Sequence, residues 1–191
     1  MLKIFLKRPS DKLLKWATIV AFIVFIIMTV VFQIFPVNTN STPYGILNFE
    51  LAFSSQTIKE IFTVWNTNPI IFQEQTIGVY LDYFSYIPAY FLTLDGIILF
   101  FTRKFSGKFQ KIGLIMLIIP FIAAICDIFE NVGLLYMLGD RIAYIAGTGM
   151  NLVPLITSSF SVIKFLFLLI GIIFGLFEIL YWVVKNKVKK T

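Results

Sequence analysis

Residues 112–138 read IGLIMLIIPFIAAICDIFENVGLLYML, a hydrophobic run that is long enough to cross a lipid bilayer. A bilayer core about 30 Å thick is crossed by about 20 apolar residues of α-helix, and this run exceeds that length. Its second half contains Asp127, Glu130 and Asn131. An ionisable side chain inside a membrane is costly and commonly marks a functional site. The run therefore predicts a spanning helix that carries a buried polar site.

Three further apolar runs of spanning length occupy residues 16–35, 77–101 and 161–184. Of the 191 residues, 59% are hydrophobic and only 14% are charged, a composition far too apolar for a soluble domain of this size. The sequence therefore predicts an all-α fold, an integral membrane four-helix bundle that forms a single domain over residues 1–191. The segment 139–160 is expected to be a loop.

A short amphipathic helix is predicted in the first outer loop, at about residues 55–65. Apolar side chains recur there at helical spacing, and Ser54 or Ser55 can cap the helix. We expect this helix to lie on the bundle or at the membrane interface, with a lid over the site as the alternative.

The basic residues predict the orientation of the chain. Of the 16 Lys and Arg residues, 13 fall in the segments 1–15, 102–111 and 185–190. The positive-inside rule places these segments, and hence both termini, in the cytoplasm. The expected location is the cell (inner) membrane, with several passes. Although the net charge is +6, the basic residues flank apolar runs, which favours the lipid bilayer over nucleic acid as the partner.

The second run, residues 77–101, is unusually polar, and Asp82 and Tyr86 fall on one helical stripe within it. Pro88 is expected to kink this helix because proline lacks a backbone N–H. Counted from the outer ends of the runs at about 1.5 Å per residue, several polar groups lie at overlapping depths in the membrane. Lys164 is expected near the outer surface. We predict an outward-facing acidic pocket, whose ligand-binding candidates are Asp82, Tyr86, Asp127, Glu130, Asn131 and Lys164.

Two other acids lie nearer the cytoplasmic side. Asp95 and Glu178 each lie about seven residues from the inner end of their runs, so a rise of 1.5 Å per residue gives them similar depths. They are candidates for a second, inner pair. For these two acids a structural role in helix packing is the favoured interpretation, because polar side chains also hydrogen-bond across membrane helices. The same structural role is the alternative for Asp127 and Glu130.

The chain contains no histidine, which excludes histidine-dependent zinc or di-iron chemistry. A bound metal would need hard oxygen ligands, so Mg²⁺ or another hard cation is the candidate cofactor. Its candidate ligands are Asp82, Asp127 and Glu130.

Two passages carry a resemblance, LDYFSYIPAYFLTL at 81–94 and AAICDIFENVGLL at 123–135, with NFELAFSSQTIKEIFTVW at 48–65 as further support. They are similar to a group of small bacterial four-helix integral membrane proteins that join an acid-aromatic-aromatic pattern to a D-x-x-E-N pattern. The resemblance implies a four-helix membrane fold and importance for Asp82, Asp127, Glu130 and Asn131. It implies no particular activity.

Three functions stay open. The first is binding or transport of a cation or small polar ligand in the acidic pocket. The second is an accessory or structural subunit that mates with a partner membrane subunit, or with further copies of itself. The third is a magnesium-dependent intramembrane enzyme that acts on a lipid. No known catalytic signature is present in the sequence, so no catalytic residue is assigned and the enzyme is the least favoured.

Overall fold

The computed structural model describes residues 2–188, and Lys189 and Lys190 of the predicted basic C-terminus lie outside the described residues. A 3₁₀ helix at Leu2–Leu6 precedes the first long helix. The α-helices are α1 Asp11–Ile34, α2 Val37–Asn40, α3 Ile46–Glu50, α4 Ser55–Trp65, α5 Ile70–Leu81, α6 Ile87–Thr102, α7 Lys108–Met116, α8 Ile118–Gly139, α9 Arg141–Ala146 and α10 Leu152–Val188.

Within residues 2–188, four helical segments are long and apolar enough to cross a membrane, and no strand occurs. They are Asp11–Ile34, Ile70–Thr102, Lys108–Gly139 and Leu152–Lys187. The all-α fold is therefore confirmed, with four helices long and apolar enough to span a membrane, and by its composition the chain is a membrane protein. The placement of both termini in the cytoplasm stays a prediction.

The second segment joins α5 to α6 through a π-helical turn at Asp82–Tyr86. The N–H of Ile87 donates to the carbonyl of Asp82, five residues earlier. Pro88 follows this turn, and its missing N–H removes the next hydrogen bond of an ordinary α-helix. Where the sequence predicts a kink, the chain thus forms a π turn, a feature that often coincides with functional sites.

The third segment is interrupted at Leu117, between α7 and α8. Pro120 explains the break, because it has no N–H to donate to the carbonyl of Met116, four residues earlier. After this break α8 continues without interruption from Ile118 to Gly139 and carries the predicted polar residues Asp127, Glu130 and Asn131.

The described segments nearest the two termini lie at one end of the bundle, which we call the terminal end. Arg103 donates to the carbonyls of Phe5 and Pro9 at 2.6–2.9 Å and forms an ion pair with Asp11 at 2.8 Å. On the other side of the same turn, the ring of Phe105 packs on Tyr181 of α10. The turn after α6 therefore holds both ends of the chain.

The opposite end, which we call the loop end, carries α2, α3, α4 and α9 over an aromatic core. Trp65 and Phe62 of α4 and Phe49 of α3 are fully buried, with ring centroids 5.3–5.7 Å apart. An α-helix does occupy Ser55–Trp65, and the side chain of Ser54 accepts from the N–H of Thr57 at its start. This core fixes α3 against the spanning helices.

The fourth spanning helix differs from the sequence-based expectation. A loop is predicted over 139–160, but α9 and the first turns of α10 are helical there. A Cβ at Gly133 of α8 would collide with the side chain of Thr157, so α8 and α10 approach closely at this level. Because α10 begins at Leu152, Lys164 lies about 18 Å along the helix, at 1.5 Å per residue, and its side chain is buried among the helices instead of lying near the surface.

Candidate functional site

The site is centred on the ammonium group of Lys164, which is buried on α10. Its Nζ lies 2.7 Å from Glu130 Oε2, 3.1 Å from Asp127 Oδ1 and 3.9 Å from Glu50 Oε2. A buried ammonium is stable only when it is paired, and here three carboxylates surround it. One positive charge therefore faces three acidic groups.

Three further side chains complete the polar network. The hydroxyl of Tyr90 donates to Asp127 Oδ2 at 2.8 Å, so both oxygens of Asp127 have partners. The side-chain amide of Asn131 donates to Asp82 Oδ2 at 2.6 Å. These contacts join the π turn and α6 to α8, and through Lys164 to α10.

The network forms one wall of a cavity of about 340 Å³ at the loop-end half of the bundle. Carboxylates and aromatic rings both line it. The polar lining includes Glu50, Gln75, Asp82, Asp127, Asn131 and Lys164, and the aromatic lining includes Phe32, Tyr86, Tyr90 and Phe165. A cavity of this size and character can hold a small organic molecule.

All six predicted pocket residues come together in the structure. Asp82, Tyr86, Asp127, Asn131 and Lys164 line the cavity, whereas Glu130 lies behind it, fully buried against Lys164.

Asp95 and Glu178 do not form the predicted inner pair, and no hydrogen bond between them occurs within residues 2–188. Asp95 borders a different cavity beside α1. Glu178 is buried and accepts a hydrogen bond from Thr102 at 2.8 Å. The two acids have similar depths but face different neighbours.

Glu50 and Tyr90 are site residues that the sequence analysis did not select. Tyr90 follows Tyr86 by four residues, so the helical stripe of the second span already contained the signal. Glu50 belongs to a short helix that the aromatic core of the loop end positions, and sequence spacing gives no indication of its depth. It is an acid within the apolar stretch NFELAF, which is the local signal that was present.

The carboxyl group of Glu50 lies outside the spanning segments, and burial raises its pKa from 4.5 to about 7. The nearby ammonium of Lys164 opposes this rise, and Asp127 and Asp82 add to it. Near neutral pH, Glu50 is therefore poised to gain or lose a proton.

This pKa predicts how stability depends on pH. Between about pH 4.5 and 7, the folded chain retains a proton on Glu50 that the unfolded chain has lost, so the free energy of unfolding falls as pH rises. The full effect is roughly 3 kcal/mol. We expect wild type to lose more stability than Glu50→Gln over this window, measured by thermal unfolding in detergent. The other site acids and Lys164 are common to both proteins. A constant difference between the two proteins from pH 4.5 to 7 would contradict the assignment.

The residues do not fit the suggested metal site. Within the described chain, no three acidic or cysteine side chains are arranged to hold a metal ion. The ammonium of Lys164 already lies between Asp127 and Glu130, where a cation bound by both would lie. Hard cations need several converging oxygen atoms, and an ammonium at that position repels them.

The chain matches no known protein-family model, no curated protein and no solved structure at a significant level.

Proposed function

We propose that the chain is a multi-pass protein of the bacterial inner membrane that binds and transports a small organic cation in the cavity beside Lys164. In this proposal the loop end faces outward and the terminal end faces the cytoplasm, because the basic segments lie at the terminal end. The main support for this proposal is that carboxylates outnumber ammonium groups in a cavity with an aromatic wall.

The charge of the cavity favours a positively charged ligand. Glu50, Asp82 and Asp127 line it, and Lys164 supplies the one opposing charge. An anionic ligand would have to displace carboxylates that already lie 3.1–3.9 Å from the ammonium. A cation instead relieves the repulsion among acids in a low-dielectric environment.

The aromatic wall favours an organic cation over a metal ion. Tyr86 contacts Phe32 and Tyr90 with ring centroids 5.5 and 5.8 Å apart, and all three rings border the cavity. Aromatic faces attract ammonium groups, above all quaternary ones, and this attraction strengthens when the groups are desolvated. Carboxylates beside such rings would recognise a methylated or primary amine.

The two alternatives receive less support. An accessory subunit would turn its polar residues toward a partner, whereas here they contact one another within one chain. A magnesium-dependent enzyme would need the carboxylates to converge on a metal, and Lys164 opposes that arrangement.

The test is ligand-induced stabilisation, because a ligand that binds only the folded state raises its stability. We expect tetramethylammonium to raise the melting temperature of the purified protein, and Asp82→Asn to weaken its binding at least tenfold. Asparagine can still accept the hydrogen bond from Asn131, so the variant removes mainly the charge. Glu60→Gln, at an exposed acid of α4, is the matched control.

Uptake of labelled tetramethylammonium into liposomes containing the protein then separates transport from binding. Stabilisation by Mg²⁺ but not by tetramethylammonium would overturn the proposal in favour of a metal site. Equal binding to wild type and Asp82→Asn would place the ligand elsewhere.

A further inference from the structure

A second cavity, of about 440 Å³, lies nearer the terminal end, on the side of α6 that faces α1. Its floor is α6, and its two sides are α1 and the α7–α8 segment. We call it the α1–α8 groove, lined among others by Leu14, Thr18, Asp95, Leu114 and Phe121. Apart from Asp95 and Thr18, its lining side chains are apolar.

Asp95 is the one ionisable group in this groove. Its Oδ1 is buried and has no hydrogen-bond partner within the described residues. The hydroxyl of Thr18 donates to the carbonyl of Leu14 in its own helix, so it is not directed to Asp95. An unpaired carboxylate at membrane depth is unfavourable, which makes it a strong acceptor for a positively charged or hydrogen-bond-donating group.

The side of the groove between α6 and the α7–α8 segment carries exposed apolar side chains, which would contact the hydrocarbon of a bilayer. Leu92, Ile118 and Phe121 border it and are each about half exposed. Toward the terminal end it is covered by Phe5 and Pro9, whose carbonyls Arg103 holds. A molecule would therefore reach Asp95 from the membrane instead of from water.

We propose that the α1–α8 groove is a second binding site, which takes a lipophilic amine from the bilayer with Asp95 as its counter-ion. The hydrocarbon body of the amine lies along the apolar walls, and its ammonium group pairs with the carboxylate of Asp95, which borders the groove. Among the side chains that line the groove there is one carboxylate and no cationic group. This charge favours a ligand with a single positive charge. This site is separate from the cavity beside Lys164 and does not depend on the function proposed there.

Electron paramagnetic resonance tests the proposal with the protein in phosphatidylcholine nanodiscs. The probes are a chain-nitroxide octadecylamine and the octadecanol of the same length, and the readout is the motionally restricted fraction. We expect wild type to restrict the amine more than the alcohol. Asp95→Asn should lower the association of the amine at least tenfold, to the level of the alcohol. Glu178→Gln, at a buried acid outside the groove, should leave it unchanged.

A second variant keeps the proposal testable if Asp95→Asn does not fold. Ala17 borders the groove, and Ala17→Phe would occupy part of its volume while leaving Asp95 itself unchanged, so it too should reduce association of the amine. Undiminished binding of the amine to both variants would overturn the proposal. Equal restriction of alcohol and amine by wild type would also overturn it, because the carboxylate would then select no charge. Loss of the amine in Asp82→Asn alone would assign it to the other cavity.

Discussion

Replacing Lys164 by methionine should lower the free energy of unfolding by about 3–5 kcal/mol, the range measured when one partner of a buried ion pair is removed. The ammonium lies within 4 Å of Glu50, Asp127 and Glu130, and methionine cannot neutralise any of them. The three acids would then repel one another in a low-dielectric environment. Equilibrium unfolding in mixed micelles of increasing SDS fraction measures the loss.

A double variant separates lost charge pairing from lost packing. Lys164→Met/Glu130→Gln removes the acid nearest to the ammonium, so it should be more stable than Lys164→Met alone. Lys187→Met changes an exposed lysine of the same helix and should cost little. If Lys164→Met were no more harmful than Lys187→Met, the ion-pair cluster would not contribute to stability.

The spanning helices could be predicted from the sequence because their signal is local. A helix needs about 20 apolar residues to cross the bilayer, and each of the four segments carries this length within one stretch of chain. The grouping of Asp127, Glu130 and Asn131 is also local, since residues three and four apart share a helix face. Both features require no knowledge of how the helices pack.

The depth of Lys164 and the presence of Glu50 could not be predicted, because they depend on contacts between distant parts of the chain. Lys164 lies about three turns along its helix and is buried because α10 begins at Leu152, within the segment 139–160 that was expected to be a loop. Glu50 reaches the site because its neighbour Phe49 is anchored among rings of α4. Neither the start of α10 nor the anchoring of Phe49 can be derived from helix propensity or residue spacing.

Asp95 and Glu178 show the limit of arguments from depth. Their distances from the helix ends are similar, but depth leaves the rotation of each helix about its axis undetermined. The structure turns Asp95 toward α1 and Glu178 toward Thr102. The predicted pair therefore becomes two separate acids, one beside an open groove and one within a packed contact.

The second large effect is expected at Trp65, in the aromatic core of the loop end. Trp65→Ala should lower the free energy of unfolding by about 3–5 kcal/mol, the usual range for a large buried aromatic residue. Trp65 is fully buried, its ring packs on Phe49 and Phe62, and its Nε1–H donates to the carbonyl of Tyr44 at 3.0 Å. Unfolding in SDS mixed micelles measures the effect.

Trp65→Ala should also alter the cavity beside Lys164. Trp65 packs on Phe49, and Glu50, which follows Phe49 in the chain, lines that cavity. We expect Trp65→Ala to weaken tetramethylammonium binding under conditions in which the protein is still folded. Trp65→Phe keeps most of the ring contacts and should retain more of both properties. Trp16→Ala, at a tryptophan of α1 that is 57% exposed, is the matched control and should change little. If Trp65→Ala destabilised the fold but left binding unchanged, α3 would not depend on the aromatic core for its position over the cavity.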